Sequence, residues 1–348
     1  MWKDASPLTV RLSVVIPCKN EAGTIGRVLR DLAIQSLSET FEVVVADGLS
    51  DDGTREVLAK FSTLDLPYYF HVVDNVSGTI PAGLNTAVAN AQGEYIVRID
   101  GHCRLPETYL ESIIESLSVP GFDIVGPATR YIPGDGTAAA AEIATALNTR
   151  LGNGGTASRV SLHEARQVDH TVLSCYRREV WEAIGGYDEG LLTNEDFDFD
   201  YRANVQGYRV WSLPSPRYFL VASPNINSLV RQRLRYGYWK WRVVKRHPQS
   251  LRMRQILPVL VTVSIFVSSI ASFWKPKLLF LPVAYVLSLY QYALGLSART
   301  FNGGRSRWRL PLVYAVIHLS WGSGFLWGMI TELARYTTTA EAESIQEP

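Results

Sequence analysis

Between Asp200 and Glu332 the chain contains no Asp or Glu, while 18 Lys and Arg fall in the same stretch. That stretch also holds three uncharged apolar segments, Ile256 to Trp274, Leu278 to Ala298 and Leu310 to Thr331. Each is about 20 residues long, enough to cross the hydrocarbon core of a bilayer. Three in succession, with basic or aromatic flanks, predict membrane helices rather than the core of a soluble domain. The formal net charge of +1 conceals the division, because residues 1 to 200 carry 29 of the 33 acids. Such asymmetry points to a membrane or to nucleic acid. Nine Lys and Arg from Arg231 to Arg254 could contact phosphates of either. Their place directly before an apolar span selects the lipid bilayer, and no nucleic-acid partner is expected.

Met1 to Pro7 is short and polar, unlike a cleavable signal, so the first 200 residues are expected to stay in the cytoplasm. The positive-inside rule then places the loop Arg299 to Arg309 inside and the acidic tail from Glu341 outside, a multi-pass arrangement in the plasma (inner) membrane. The expected organisation is a catalytic domain over 1–222, basic amphipathic interfacial helices over 223–254, a membrane region over 255–335 and an acidic tail over 336–348. From Ile226, helical spacing puts Val230, Leu234, Tyr238 and Trp241 on one face and Arg231, Arg235, Arg242 and Lys245 toward another. A helix of this kind lies on an anionic membrane surface. Gly324 and Gly328 have the G-x-x-x-G spacing of close helix packing. Cys18, Cys103 and Cys175 lack C-x-x-C spacing, which suggests neither a disulfide framework nor a zinc site.

In the acidic half, apolar runs alternate with amphipathic patterns, the order of an α/β domain with a mostly parallel sheet. The spacing predicts strands at Leu12 to Ile16, Glu42 to Ala46, Tyr68 to Val73, Tyr95 to Ile99 and Ile124 to Gly126. It predicts helices at Thr24 to Ser36, Thr54 to Phe61, Ile80 to Ala91 and Pro106 to Ser118. The first strand runs into Pro17-Cys18-Lys19-Asn20-Glu21, with no G-x-G-x-x-G and no Walker A loop, so dehydrogenase and ATPase readings lack their phosphate cradle. The low-complexity stretch Ala138 to Ser161, containing Gly152-Asn153-Gly154-Gly155, is expected to be a mobile acceptor-side loop.

Acidic stations recur at Asp47, at Asp100 with His102, at Glu195-Asp196, and at Asp198 and Asp200. The first two follow strands directly, and carboxyl ends of parallel strands face the ligand crevice of open α/β sheets. Asp47 can accept hydrogen bonds from a base or ribose there. Glu21 either lines that base or complements a helix dipole. Asp51 to Thr54 read as helix-capping residues. Asp198 and Arg202 are spaced for a helix ion pair, and Asp200 reads as structural. Crowding at Glu195-Asp196 is expected to raise the pKa of one carboxyl, which suits a base working near neutrality.

Several of these segments carry a resemblance. Val15-Ile16-Pro17-Cys18-Lys19-Asn20-Glu21, Asp47-Gly48-Leu49-Ser50-Asp51-Asp52-Gly53-Thr54, Gly83-Leu84-Asn85, Gly93-Glu94-Tyr95-Ile96, Asp100-Gly101-His102, Gly185-Gly186-Tyr187-Asp188-Glu189 and Asn194-Glu195-Asp196 resemble the ordered motifs of family 2 glycosyltransferases, over roughly residues 12 to 247. The resemblance implies a GT-A nucleotide-sugar-binding fold and an inverting transfer from a nucleotide diphosphate sugar. It implies donor contacts from Pro17, Asn20, Glu21, Asp47, Asn85 and Asp100, with Asp196 of the Glu195-Asp196 pair as general base. Asp100-Gly101-His102 stands where the family has its metal motif, usually Asp-x-Asp. Asp100 and His102 would then hold Mg²⁺ or Mn²⁺ with the donor diphosphate. Asp169 and His170 are candidates to meet the acceptor, and Gln232, Arg233 and Arg235 to grip its diphosphate. Only Gln232-Arg233 match the Gln-Arg-Arg-Trp motif of processive synthases, so a single transfer is expected. The Asp-x-His station, Tyr236 to Lys240 and His247-Pro248 are most similar to glucosyltransferases of succinoglycan-type exopolysaccharide assembly. That similarity implies UDP-glucose as donor and a polyprenyl-linked saccharide as acceptor. A polyprenyl-phosphate hexose synthase is the nearer alternative. A sugar nucleotidyltransferase, which needs a glycine-rich phosphate loop after the first strand, is the more distant one.

Overall fold

A computed structural model describes residues 10–155, 163–300 and 309–344. The chain divides into two compact units, one of residues up to Arg130 and from Ala157 to Leu220, the other of Tyr131 to Thr156 and Val221 onward. In the first unit β1 (Leu12–Cys18), α1 (Ile25–Ala33), β2 (Glu42–Asp47), α2 (Thr54–Phe61), β3 (Tyr69–Asp74), α3 (Ile80–Asn90), β4 (Tyr95–Arg98), α4 (Tyr109–Leu117) and β5 (Ile124–Ile132) alternate as the periodicity requires. The chain then enters the second unit through α5 (Ala138–Leu147) and α6 (Arg150–Asn153). It returns with β6 (Arg166–Gln167), β7 (Cys175–Arg177), α7 (Arg178–Ile184), α8 (Glu195–Val205) and β8 (Val210–Val221).

The strands form one sheet in the order β3-β2-β1-β4-β7-β5-β8-β6. β3, β2, β1 and β4 are parallel, and β7 runs antiparallel between β4 and β5. β1, β2 and β4 are buried almost throughout, which is why they read as continuous apolar runs rather than alternating ones. One face is covered by Ile25, Val28 and Leu32 of α1, Leu58 of α2 and Tyr109, Leu110 and Ile113 of α4. The other is covered by Leu84 and Val88 of α3, Val180 of α7 and Phe199 and Ala203 of α8. Phe199 is fully buried, with its ring 4.9 Å from Tyr176 and 4.6 Å from Tyr187. Burial of such a ring contributes roughly 1.5–3 kcal/mol and fixes α8 against the sheet. β1 lies between β2 and β4, so successive crossovers leave it in opposite directions. The crevice of an open α/β sheet forms at that switch point, beside the carboxyl ends of β1 and β4.

The second unit adds α9 (Ile226–Arg246), α10 (Met253–Ala271), α11 (Phe280–Thr300) and α12 (Leu310–Ser344). Segments Met253–Ala271, Pro276–Leu296 and Leu310–Leu333 are long and apolar enough to cross a membrane. Glycines let these helices meet backbone to backbone. A Cβ on Gly237 would run into the carbonyl oxygen of Trp321, one on Gly324 into that of Leu234, and one on Gly322 into Thr262. The G-x-x-x-G spacing therefore serves packing within the chain, of α12 against α9.

Two expectations change. The stretch from Ala138, expected to be a mobile loop, is helical to Asn153, and residues 156–161 lie outside the described ones. Its alanines are the strongest helix formers, and Thr137 and Thr149 cap α5 and α6 by accepting from the backbone N–H of Ala140 and Gly152. Gly152 is required by close approach, since a Cβ there would meet the carbonyl oxygen of Ala146. The buried strip of α9 is also displaced from the expected one, to Leu229, Arg233, Gly237, Lys240, Val243 and Val244. The displacement follows from glycine, because the face with the least side chain approaches α12 most closely. α12 continues past Thr331 through Ser344, and Glu332 is held by Arg242 at 3.0 Å and Lys245 at 2.9 Å from α9. The loop Arg299 to Arg309 and the last four residues of the tail fall largely outside the described residues.

Candidate active site

The site begins at Arg98, the last residue of β4 and a charge in an otherwise apolar strand. It is buried, and its Nη2 lies 3.0 Å from Oε1 of Glu195 and 3.6 Å from Oδ1 of Asp100. One guanidinium thus joins the acid after β4 to the acid that opens α8. Its Nε and Nη1 are buried with no hydrogen-bond partner among the described residues. Asp100, Glu195 and Asp196 all contribute to holding its charge. Arg98 is not among the site residues expected from the motifs, although a lone cation in a strand buried on both faces is itself a signal.

Asn194 caps α8 from the left-handed region, at φ 66°, so Glu195 and Asp196 occupy the first turn, where the helix dipole favours negative charge. Glu195 is almost fully buried, whereas a quarter of the Asp196 side chain is exposed. Burial, and the like charge of Asp196, push the Glu195 carboxyl up to about 7 against the pull of Arg98. The expected crowding effect therefore falls on Glu195. A group whose pKa is raised in the folded state adds stability that is complete below its ordinary value and is lost as pH rises through the folded value. The protein is expected to melt progressively lower as pH is raised from 5 to 8, and a Glu195→Gln variant to lose most of that slope. Equal slopes in both would remove Glu195 as its source.

Beyond the ends of β1 and β4, His102 Nδ1 donates to the Oε1 of the Glu21 carboxylate at 2.8 Å. The Glu21 Oε2 accepts from Thr24 at 2.5 Å. Burial works to raise the Glu21 pKa, but its hydrogen bonds from His102 and Thr24 prevail and lower it. The same bond raises His102, whose ring is half exposed. A carboxylate that fixes one ring nitrogen is the usual support of a metal-binding histidine. Among the described residues no three His, Cys, Asp or Glu converge as a complete metal cage. Asp100 and His102 fit an ion that takes its remaining ligands from a bound diphosphate and water.

Asp47 ends β2 fully buried, with Oδ1 accepting from Ser50 Oγ at 2.6 Å and Oδ2 lying 3.5 Å from Arg55. Asn20, at φ 56°, accepts from the backbone N–H of Asp51 at 3.1 Å, which fastens the turn after β1 to the turn after β2. Pro17 sits in β1 opposite Ala46. Asn85, expected among the donor contacts, also ties two segments of the first unit together. Its amide donates to the carbonyl of Tyr187 at 2.9 Å and accepts from the Tyr187 N–H at 2.8 Å, so it clamps the Gly185 to Glu189 turn. Asp52 accepts from the backbone N–H of Thr54, the first residue of α2, at 3.0 Å, and Asp198 pairs with Arg202 at 2.7 Å, the helix ion pair that the spacing predicts. His170 lies between two carboxylates of α8, Nδ1 2.8 Å from Asp200 and Nε2 3.8 Å from Asp196. The Asp169 carbonyl accepts from Asn204 at 3.0 Å. Burial raises the Asp200 pKa, opposed by hydrogen bonds from His170, Thr171 and Ser174. Gln232, Arg233 and Arg235 belong to α9 in the second unit. There Gln232 accepts from Ser223 at 3.2 Å, Arg233 is buried with its guanidinium 5.6 Å from the Tyr236 ring, and Arg235 is exposed. All three cysteines are buried and free, and burial pushes each thiol up to about 12, consistent with packing residues.

Residues 13–185 match the model of Glycosyl transferase family 2. The chain is 32% identical to the succinoglycan biosynthesis protein ExoA of Rhizobium meliloti (strain 1021), over 92% of this chain and 96% of that protein. It is 26% identical to the undecaprenyl-phosphate 4-deoxy-4-formamido-L-arabinose transferase of Salmonella choleraesuis (strain SC-B67), over 35% of this chain and 38% of that protein. Among solved structures it is similar to the mannosyltransferase PcManGT of Pyrobaculum calidifontis in complex with GDP-Man and Mn²⁺. That likeness has a TM-score of 0.59 at 17% identity, covers 94% of this chain and 90% of that one, and shows the shared GT-A fold.

Proposed function

Because the chain belongs to glycosyl transferase family 2, we propose that it moves one hexose, glucose from UDP-glucose, onto a polyprenyl-linked saccharide at the cytoplasmic membrane face, with inversion, in the assembly of an exopolysaccharide. The observation that carries this reading is the Arg98 bridge, which joins Asp100 at the strand edge to the Glu195-Asp196 pair at the start of α8. Asp196, the more exposed carboxylate of the pair, takes the proton from the acceptor hydroxyl as its oxygen attacks the anomeric carbon. The nucleoside diphosphate leaves from the opposite side with the bonding electron pair, so no covalent nucleophile is needed. Asp100 and His102 would hold Mg²⁺ or Mn²⁺, which would supply Lewis-acid stabilisation of the departing diphosphate. Asp47, Asn20 and Pro17 bound the base and ribose end. Arg235 and Gln232 are the second unit's candidates for the acceptor diphosphate. The undecaprenyl-phosphate transferase supports a lipid-linked acceptor, the succinoglycan biosynthesis protein supports an exopolysaccharide as product, and the mannosyltransferase bound to Mn²⁺ supports a divalent ion.

The test is nucleoside diphosphate release by the full chain in vesicles, with UDP-glucose, Mn²⁺ or Mg²⁺, and either a polyprenyl-diphosphate saccharide or a polyprenyl phosphate. Release that requires the first acceptor and the metal supports the reading. Release with the bare phosphate alone moves it to a polyprenyl-phosphate hexose synthase, and pyrophosphate as product moves it to a nucleotidyltransferase. Glu21→Gln is expected to raise the half-maximal metal concentration roughly 10–100-fold, the usual weight of a carboxylate that orients a histidine ligand. An unchanged metal requirement would take His102 out of the site.

In this reading the chain has three membrane spans, α10, the segment Pro276–Leu296 and α12 up to Leu333, each long and apolar enough to cross a bilayer. α12 meets α10 near the middle of that helix, at Gly322 against Thr262, which suits two helices at one depth. Protease added to sealed inverted vesicles is expected to cleave loops on the side of the catalytic unit and to leave a C-terminal tag intact. Loss of the tag would reduce the spans to two.

A further inference from the structure

Asp196, Asp200 and Asn204 are spaced by four along α8 and share one face of it. The segment Asp169 to Ser174 lies along that row. Asn204 donates to the Asp169 carbonyl at 3.0 Å, the Thr171 N–H donates to Asp200 Oδ2 at 2.9 Å, and the Ser174 hydroxyl donates to Asp200 Oδ1 at 2.7 Å. His170 is left in one pose, with Nδ1 2.8 Å from Asp200 Oδ2, its ring 5.5 Å from that of Phe197, and Nε2 3.8 Å from Asp196 Oδ2. Its side chain is 15% exposed and that of Asp200 is 0% exposed. A fully buried carboxylate, an imidazole and a partly exposed carboxylate thus stand in line, with the exposed one at the reaction end.

We infer that His170 is a positioning and proton-relay residue for Asp196, held in its tautomer by Asp200, rather than a contact for the acceptor. The inference rests on the reading of Asp196 as base. Asp200 accepts from Nδ1–H, which leaves the Nε2 lone pair facing Asp196. As the acceptor oxygen bonds to the anomeric carbon and the diphosphate leaves with its electron pair, the hydroxyl proton passes to Asp196. From Asp196 it passes to Nε2, and the imidazolium is stabilised by Asp200 until the proton goes to water. The gap of 3.8 Å is longer than a hydrogen bond. Such contacts commonly tighten once substrates are bound.

The experiment compares His170→Ala, His170→Gln, Asp196→Asn and the His170→Gln/Asp196→Asn double variant as full chains in vesicles. The donor is whichever of a panel of nucleotide sugars the wild type turns over. His170→Gln keeps a donor to Asp200 but cannot relay a proton, so it guards against loss of folding. Both His170 variants are expected to lower kcat about 10–100-fold with the donor KM unchanged, and the double variant to be no slower than Asp196→Asn alone, because residues acting as a unit are non-additive. Wild-type kcat in His170→Gln, or effects that multiply in the double variant, overturns the relay. Full activity in Asp196→Asn overturns the base reading instead, and the relay falls with it.

Discussion

Replacing Asp196 by Asn is expected to lower the rate of acceptor-dependent nucleoside diphosphate release by roughly 10²–10⁴-fold, the usual contribution of a positioned general base. The substitution keeps the shape of the side chain and keeps an oxygen able to accept from the backbone N–H of Phe197, now 2.7 Å from Oδ1. α8 should therefore start where it does in the wild type, and binding of the nucleotide sugar should be nearly unchanged. What is lost is the proton acceptor, a loss confined to the step in which the acceptor oxygen becomes a nucleophile. Saturation kinetics with both substrates, together with calorimetric titration of the nucleotide, separate these quantities. A kcat within a few-fold of wild type would mean that another group takes the proton, and Glu195, whose pKa is already raised to about 7, would be the next to test.

The alternation of strands and helices up to β5 was legible because each buried parallel strand must be an apolar run and each covering helix must carry an apolar stripe. Asp47 and Asp100 could be placed at strand ends for the same reason. β7 was not legible. It has three residues, and its partners on β4 and β5 lie some 50 to 80 positions earlier, so nothing local marks Cys175–Arg177 as a strand. The bond between Glu21 and His102 spans 81 positions and appears only once β1 and β4 lie side by side. For His170 the four-residue spacing of Asp196, Asp200 and Asn204 was visible, but what that face of α8 meets was not. The alanine and glycine content of Ala138 to Gly155 suggested mobility. Capping threonines and close helix contact give the same composition a packed structure.

Arg98 carries the second large effect. Its guanidinium is buried between Asp100 and Glu195, and removing it as Arg98→Met leaves two carboxyls facing each other without a cation. Breaking a buried ion pair from one side typically costs about 3–5 kcal/mol, because the remaining charge keeps its desolvation penalty. For a unit of this size that corresponds to a melting temperature lower by roughly 10 °C. Without the pull of Arg98, Glu195 should hold its proton to still higher pH, so part of the loss is expected to return when the pH is lowered. The double variant Arg98→Met/Glu195→Gln should recover stability over Arg98→Met alone, since it removes the uncompensated charge that makes the single change costly. Activity should not return with it, because Asp100 would still lack the group that fixes it beside α8. A Arg98→Met protein that melts within a degree or two of wild type would show that water or another cation can replace the guanidinium. The bridge would then be an ordinary contact rather than the link between the two acidic stations.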